Sequence, residues 1–119
     1  MTSSVETFFA AWGEPDAEKR DAMLSACLAD AASYSDPRSQ GRLTGADIAA
    51  YIGQFSANAP GWAVSVETAQ EVNGYQCVRV VFGGQGPDGK GMAQHGTYFT
   101  EADADGKLTL LAGFAGASA

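Results

Sequence analysis

Val5, Phe8, Phe9 and Trp12 recur three and four residues apart, the spacing that lines one face of a helix, and Ser3 or Ser4 stands where an N-cap belongs. Gly13-Glu14-Pro15 stops that run. Asp16 then opens a second helix, with Lys19 in place of a capping-box Glu and an apolar face through Ala22, Met23, Cys27 and Leu28. Arg20 stands within reach of a salt bridge to Glu14 or Asp16. A short strand is predicted over Ala32 to Asp36. Thr44 caps a third helix whose stripe is Ile48, Tyr51, Ile52 and Phe55, closed by Asn58-Ala59-Pro60-Gly61.

From Trp62 onward the period falls from helical to two. Trp62, Val64, Val66 and Thr68 alternate with Ala63, Ser65 and Glu67, so this strand has two unlike faces. Asn73-Gly74 marks a tight hairpin, and Tyr75 to Phe82 is the return strand. Gly86-Pro87-Asp88-Gly89 makes a turn, Met92 to Thr100 a strand, Asp103-Ala104-Asp105-Gly106 a turn, and Lys107 to Phe114 a last strand. Residues Gly116 to Ala119 are expected to fray. Three helices followed by an antiparallel meander make an α+β domain. Glycines 83, 84, 91 and 96 supply the bends that let such a sheet curl into a cone around its helices. Tyr75 to Phe82 is apolar on both faces apart from Gln76 and Arg79, so the uncovered side of the sheet suits a homodimer packed sheet to sheet. Arg79 fits an ion pair with Glu67 across the hairpin.

With 119 residues, 45% of them hydrophobic and 18% charged, the chain reads as one folded domain over 1–119. Its net charge of −7 and pI near 4.4 argue against nucleic acid or an anionic membrane as a partner. The first residues lack a signal-peptide pattern and no apolar run is long enough for a bilayer, which makes a cytoplasmic protein the expectation. Cys27 and Cys77 read as reduced, partly buried thiols; pairing between them is open. A single histidine, His95, makes a histidine-based metal site unpromising.

The chemistry concentrates in Tyr34-Ser35-Asp36-Pro37. Pro37 holds Asp36 extended at a strand end, which aims the carboxylate sideways, at the mouth of a cavity. Asp36 could remove a proton as a general base, with Tyr98 polarising the substrate oxygen; equally it could start a turn by accepting backbone amides near Ser39 or Gln40. Strand parity places His95 on the face opposite Gln94 and Tyr98, and a slip of one residue would exchange their roles. Phe8, Trp12, Phe55, Trp62 and Phe82 are candidate cavity walls for an apolar ligand, and Tyr34 and Tyr51 could add hydroxyls to it.

In order and spacing, Phe9-Ala10-Ala11-Trp12, Asp16 with Arg20, Tyr34 to Pro37, Gly45 to Ile52, Pro60-Gly61, Gly96 to Phe99, Asp105 to Lys107 and Gly113-Phe114 resemble the SnoaL-like branch of the nuclear transport factor 2-like superfamily. The resemblance implies a cone of three helices on a curved antiparallel sheet and a pocket for a small apolar or polycyclic molecule. It also implies cofactor-independent isomerase, dehydratase or cyclase chemistry, or else a non-catalytic binding or dimeric interaction module. Asp36 looks like the counterpart of the general base of ketosteroid isomerases. The oxyanion-holding tyrosine of those enzymes falls on Phe8 and their late-strand aspartate on Tyr98. One donor is thus missing and one changed, which argues against fast steroid isomerisation.

Overall fold

In the computed structural model, which describes residues 3–39, 41–85 and 88–115, three helices lie on one face of a six-stranded sheet. Helix α1 (Ser4–Ala11) is capped by the Ser3 hydroxyl, which accepts from the Glu6 amide; helix α2 (Ala17–Cys27) is capped by Asp16, which accepts from Glu18 and Lys19. Arg20 is buried. Its guanidinium donates to the Glu14 carbonyl at 3.0 and 3.1 Å and to that of Pro15 at 3.4 Å, tying down the α1–α2 turn through backbone rather than the expected carboxylates.

Strand β1 (Leu28–Ser35) follows α2 without a connecting turn and starts four residues before the expected Ala32. Strand β2 (Leu43–Thr44) pairs with it antiparallel, so Thr44 is a strand residue. The N-cap of α3 (Ala46–Asn58) is Gly45, at φ 55° and with no side-chain cap. The remaining strands are β3 (Ala63–Val72), β4 (Tyr75–Gln85), β5 (Gly91–Ala102) and β6 (Leu108–Ala115). Asn73 and Gly74, both at positive φ, turn β3 into β4, the two-residue hairpin backbone that suits a right-twisted ribbon.

Strand order is β2-β1-β6-β5-β4-β3, and β1 runs parallel to β6. The sheet is therefore mixed, not a purely antiparallel meander. The pairing that decides this joins strands separated by most of the chain, so no local pattern carries it. Ladder irregularities interrupt β1 against β6, β3 against β4 and β5 against β6. In the second of these Glu67 is skipped, and Arg79 stands opposite Thr68. Gln40, Gly86, Pro87 and the expected frayed end at 116–119 lie outside the described residues.

Val5, Phe8, Phe9, Leu24, Ile48, Ile52, Val78, Val80, Leu108 and Leu111 fill the space between helices and sheet. Phe8 and Phe9 meet edge to face at 5.0 Å. Burying side chains of this kind contributes about 1.5–3 kcal/mol each. One wall of that core consists of tyrosines.

Candidate functional site: a tyrosine–aspartate network lining a pocket

Asp36 sits one residue beyond β1, where Pro37 ends the ladder. Its Oδ1 accepts the amides of Arg38 at 2.9 Å and Ser39 at 2.7 Å, while the Ser39 hydroxyl accepts the Asp36 amide at 3.0 Å. The turn-starting bonds are thus present, yet the carboxylate also faces a cavity. Tyr34, two residues back and so on the same face of β1, donates to Oδ2 at 2.7 Å. Tyr51, one turn into α3 from Ile48, donates to both carboxylate oxygens at 2.8 Å. Tyr98 of β5 stands 2.6 Å from the Tyr34 hydroxyl. The network runs Tyr98–Tyr34–Asp36–Tyr51.

Burial is the main cause that pushes the Tyr34, Tyr51 and Tyr98 hydroxyls well above the ordinary phenol range, and the neighbouring Asp36 charge adds to it. All three therefore keep their protons at neutral pH, and each has one proton to give. As a carboxylate, Asp36 only accepts. The Tyr34 proton goes to Asp36, so the 2.6 Å contact is a bond that Tyr98 donates and Tyr34 accepts.

The pocket beside this network has a volume of about 160 Å³. Asp36, Tyr98, Tyr51, Trp12, Phe55 and Phe82 line it, with Arg38 and Gln94. Phe8 is fully buried against Phe9, Trp12 and Tyr34 in the core and does not reach the pocket. Tyr34 is also fully buried and meets the pocket only through its partners. Trp62 lies outside it, over Gly84, with its indole N–H donating to the Gln85 carbonyl at 3.1 Å. It helps line an adjoining hollow of about 340 Å³ that shares Trp12, Arg38, Tyr51, Phe55 and Gln94.

Two pocket features escape a reading of sequence. Arg38 follows the Asp36-Pro37 pair and reaches both hollows. Gly113 of β6 lies under the Tyr98 ring, where a Cβ would come within 2.5 Å of it. The Trp12 indole N–H is buried and without a hydrogen-bond partner among the described residues. His95 of β5 also borders the pocket, and its half-exposed side chain stands 3.7 Å from Glu67. Among the described residues no three His, Cys, Asp or Glu side chains gather as metal ligands. Cys27 is buried and its thiol is raised to about 11, chiefly by desolvation; Cys77 is exposed, and both are free.

The profile of the SnoaL-like domain family matches residues 5–111. No curated protein matches the chain. A candidate isomerase of the SnoaL-like family from Agrobacterium tumefaciens has a similar structure, with TM-score 0.81, 24% identity, and 96% of this chain and 95% of that one covered. So does a Catenulispora acidiphila protein of ketosteroid isomerase-like fold, solved with trimethylamine: TM-score 0.76, 17% identity, coverage 94% and 85%. A third is an epoxide hydrolase of Mycobacterium tuberculosis described as LEH-like, with TM-score 0.70, 18% identity, and coverage 95% and 76%. At these identities the likeness is one of fold.

Proposed function

Because this chain belongs to the SnoaL-like domain family, we propose that its pocket binds a small, largely apolar molecule and that Asp36 removes a proton from it in cofactor-independent chemistry. An isomerisation, a dehydration or a cyclisation would each fit. The observation that carries this reading is that Asp36 and Tyr98 line one cavity and are joined through Tyr34 by bonds of 2.7 and 2.6 Å. Related folds named as an isomerase and an epoxide hydrolase are in keeping with it, as fold-level analogy.

Volume limits the ligand. A closed apolar cavity of about 150 Å³ takes up benzene, so 160 Å³ suits a single ring or a short branched chain. A polycyclic ligand would have to run on into the adjoining hollow past Tyr51 and Phe55.

The network also gives Tyr98 a conditional role. While Asp36 is a carboxylate, the phenol protons point toward it. Once Asp36 has taken a proton its new O–H donates to Tyr34, the Tyr34 hydroxyl turns to donate to Tyr98, and the Tyr98 hydroxyl turns to donate to the ligand oxygen on which negative charge has developed. That bond is strongest after proton transfer, which is the condition for lowering a barrier rather than merely binding.

A second reading, a binding module without catalysis, is favoured by one observation: four donors already converge on Asp36, enough to fill the lone-pair sites of a carboxylate. The two separate in a thermal-shift screen of single-ring compounds on wild type and Asp36→Asn. The acid/base reading expects hits whose shift is lost in the variant and that are turned over only by the wild type. Hits equally stabilising in both would remove Asp36 from the site.

We also propose that the protein works as a homodimer through the outer face of the sheet. There Tyr75 and Phe99, both exposed, stack at 5.6 Å.

A further inference from the structure

We propose that the resting pocket selects a ligand with a hydrogen-bond-donating head, a protonated amine ahead of a hydroxyl, and discriminates against a carbonyl. This rests on the reading above that the pocket binds a small molecule, and names the ligand's class.

The argument is a count of protons. Three phenols bring three protons. Those of Tyr34 and Tyr51 go to Asp36 and that of Tyr98 goes to Tyr34. None is left to point into the pocket. What Tyr98 and Tyr51 present there is oxygen lone pairs, backed by the Asp36 charge. A carbonyl oxygen meeting those lone pairs gains no bond and is taken out of water for nothing. An N–H or O–H head finds acceptors already aimed. A positive charge gains more, because it lies beside a carboxylate and among aromatic rings of Trp12, Tyr51 and Phe55 that attract cations at their faces.

Four lining residues carry donors outside the network: Arg38, Gln94, His95 and the Trp12 indole. Arg38 lines the pocket, but it is an exposed residue whose charge water screens. The Trp12 indole, whose N–H is buried without a hydrogen-bond partner among the described residues, packs against the Tyr34, Tyr51, Phe55 and Phe82 rings. These side chains leave the direction of the three phenol protons unchanged.

The test is calorimetric titration of the wild-type protein near neutral pH with benzylamine, benzyl alcohol and acetophenone, three single-ring probes of similar size. The expected order of affinity is benzylamine, benzyl alcohol, acetophenone, with about tenfold or more between first and last, the worth of one hydrogen bond to a charged group. Acetophenone binding as tightly as benzylamine would overturn the inference and leave the binding pocket standing. Benzyl alcohol ahead of benzylamine would overturn the preference for charge. Failure of all three to bind would sink the pocket reading itself, and this inference with it. Tyr34→Phe supplies a second, independent arm. It removes the acceptor that occupies the Tyr98 proton, so acetophenone should gain about tenfold while benzylamine does not. No gain in a folded Tyr34→Phe protein would show that the proton of Tyr98 was never committed inward.

Discussion

Tyr34 and Tyr98 make the alkaline limb of stability predictable. Both are held well above the ordinary phenol range by burial, whereas in the unfolded chain each ionises near pH 10. The folded state thus keeps protons that the unfolded state gives up. Their contribution is intact below about pH 10 and is lost as pH rises beyond it, at about 1.4 kcal/mol per pH unit for each. Denaturant unfolding at a series of pH values should show this decline, and Tyr98→Phe should make it shallower by one proton. A stability that stays flat to pH 11 would mean that the phenols reach water. Asp36 shows what a residue pattern can convey. Its place before Pro37 left a turn and a cavity face as alternatives, and the one carboxylate has both: Oδ1 accepts the turn amides while Tyr51 and Tyr34 approach from the pocket side.

Helix α1, through Phe9, and strands β1, β5 and β6 meet at the Tyr98 ring, and the clearance there is set by Gly113. A methyl at Gly113 would overlap that ring at 2.5 Å, whereas one at Gly91, in β5, would meet nothing within 4 Å. Gly113→Ala should therefore cost about 1–3 kcal/mol, the usual price of an overpacked site, and should break the Tyr98–Tyr34 bond. Gly91→Ala should do neither. Unfolding midpoints check the first effect, and loss of the far-downfield hydroxyl proton resonance expected of a short O–H···O bond checks the second. An unshifted midpoint in Gly113→Ala would refute the clearance argument. Among the elements, the helices and the β3–β4 hairpin were legible because their signals are local: apolar periodicity, an Asp or Ser cap, Asn73-Gly74. Strand β2, two residues long, offers no periodicity to detect, and Thr44 looked like a cap for want of anything that revealed its pairing with Ser33.

For the whole molecule, the outer sheet face is the feature left uncovered. If it joins two copies, as proposed above, light scattering at micromolar concentration should give twice the 12.3 kDa chain mass. Phe99→Lys should then return it to the single mass, since a charge inside an apolar contact loses water without gaining a partner. A wild-type protein of single mass would end that proposal and leave the pocket untouched.

The sequence by itself determined the α+β class, the inward faces of α1 and α3, the place of Asp36 at the end of β1 and that of Tyr98 on β5, because each follows from chain neighbours a few residues apart. The α2 face it suggested through Ala22 and Leu28 runs instead through Arg20, Leu24 and Cys27. Only the tertiary structure decided that β1 lies parallel to β6, and with it that Tyr34, Asp36, Tyr51 and Tyr98 share their protons. The Tyr34–Tyr98 contact spans 64 residues. No periodicity extends over that distance; the contact exists because a mixed sheet and a covering helix bring the residues within a hydrogen bond of one another.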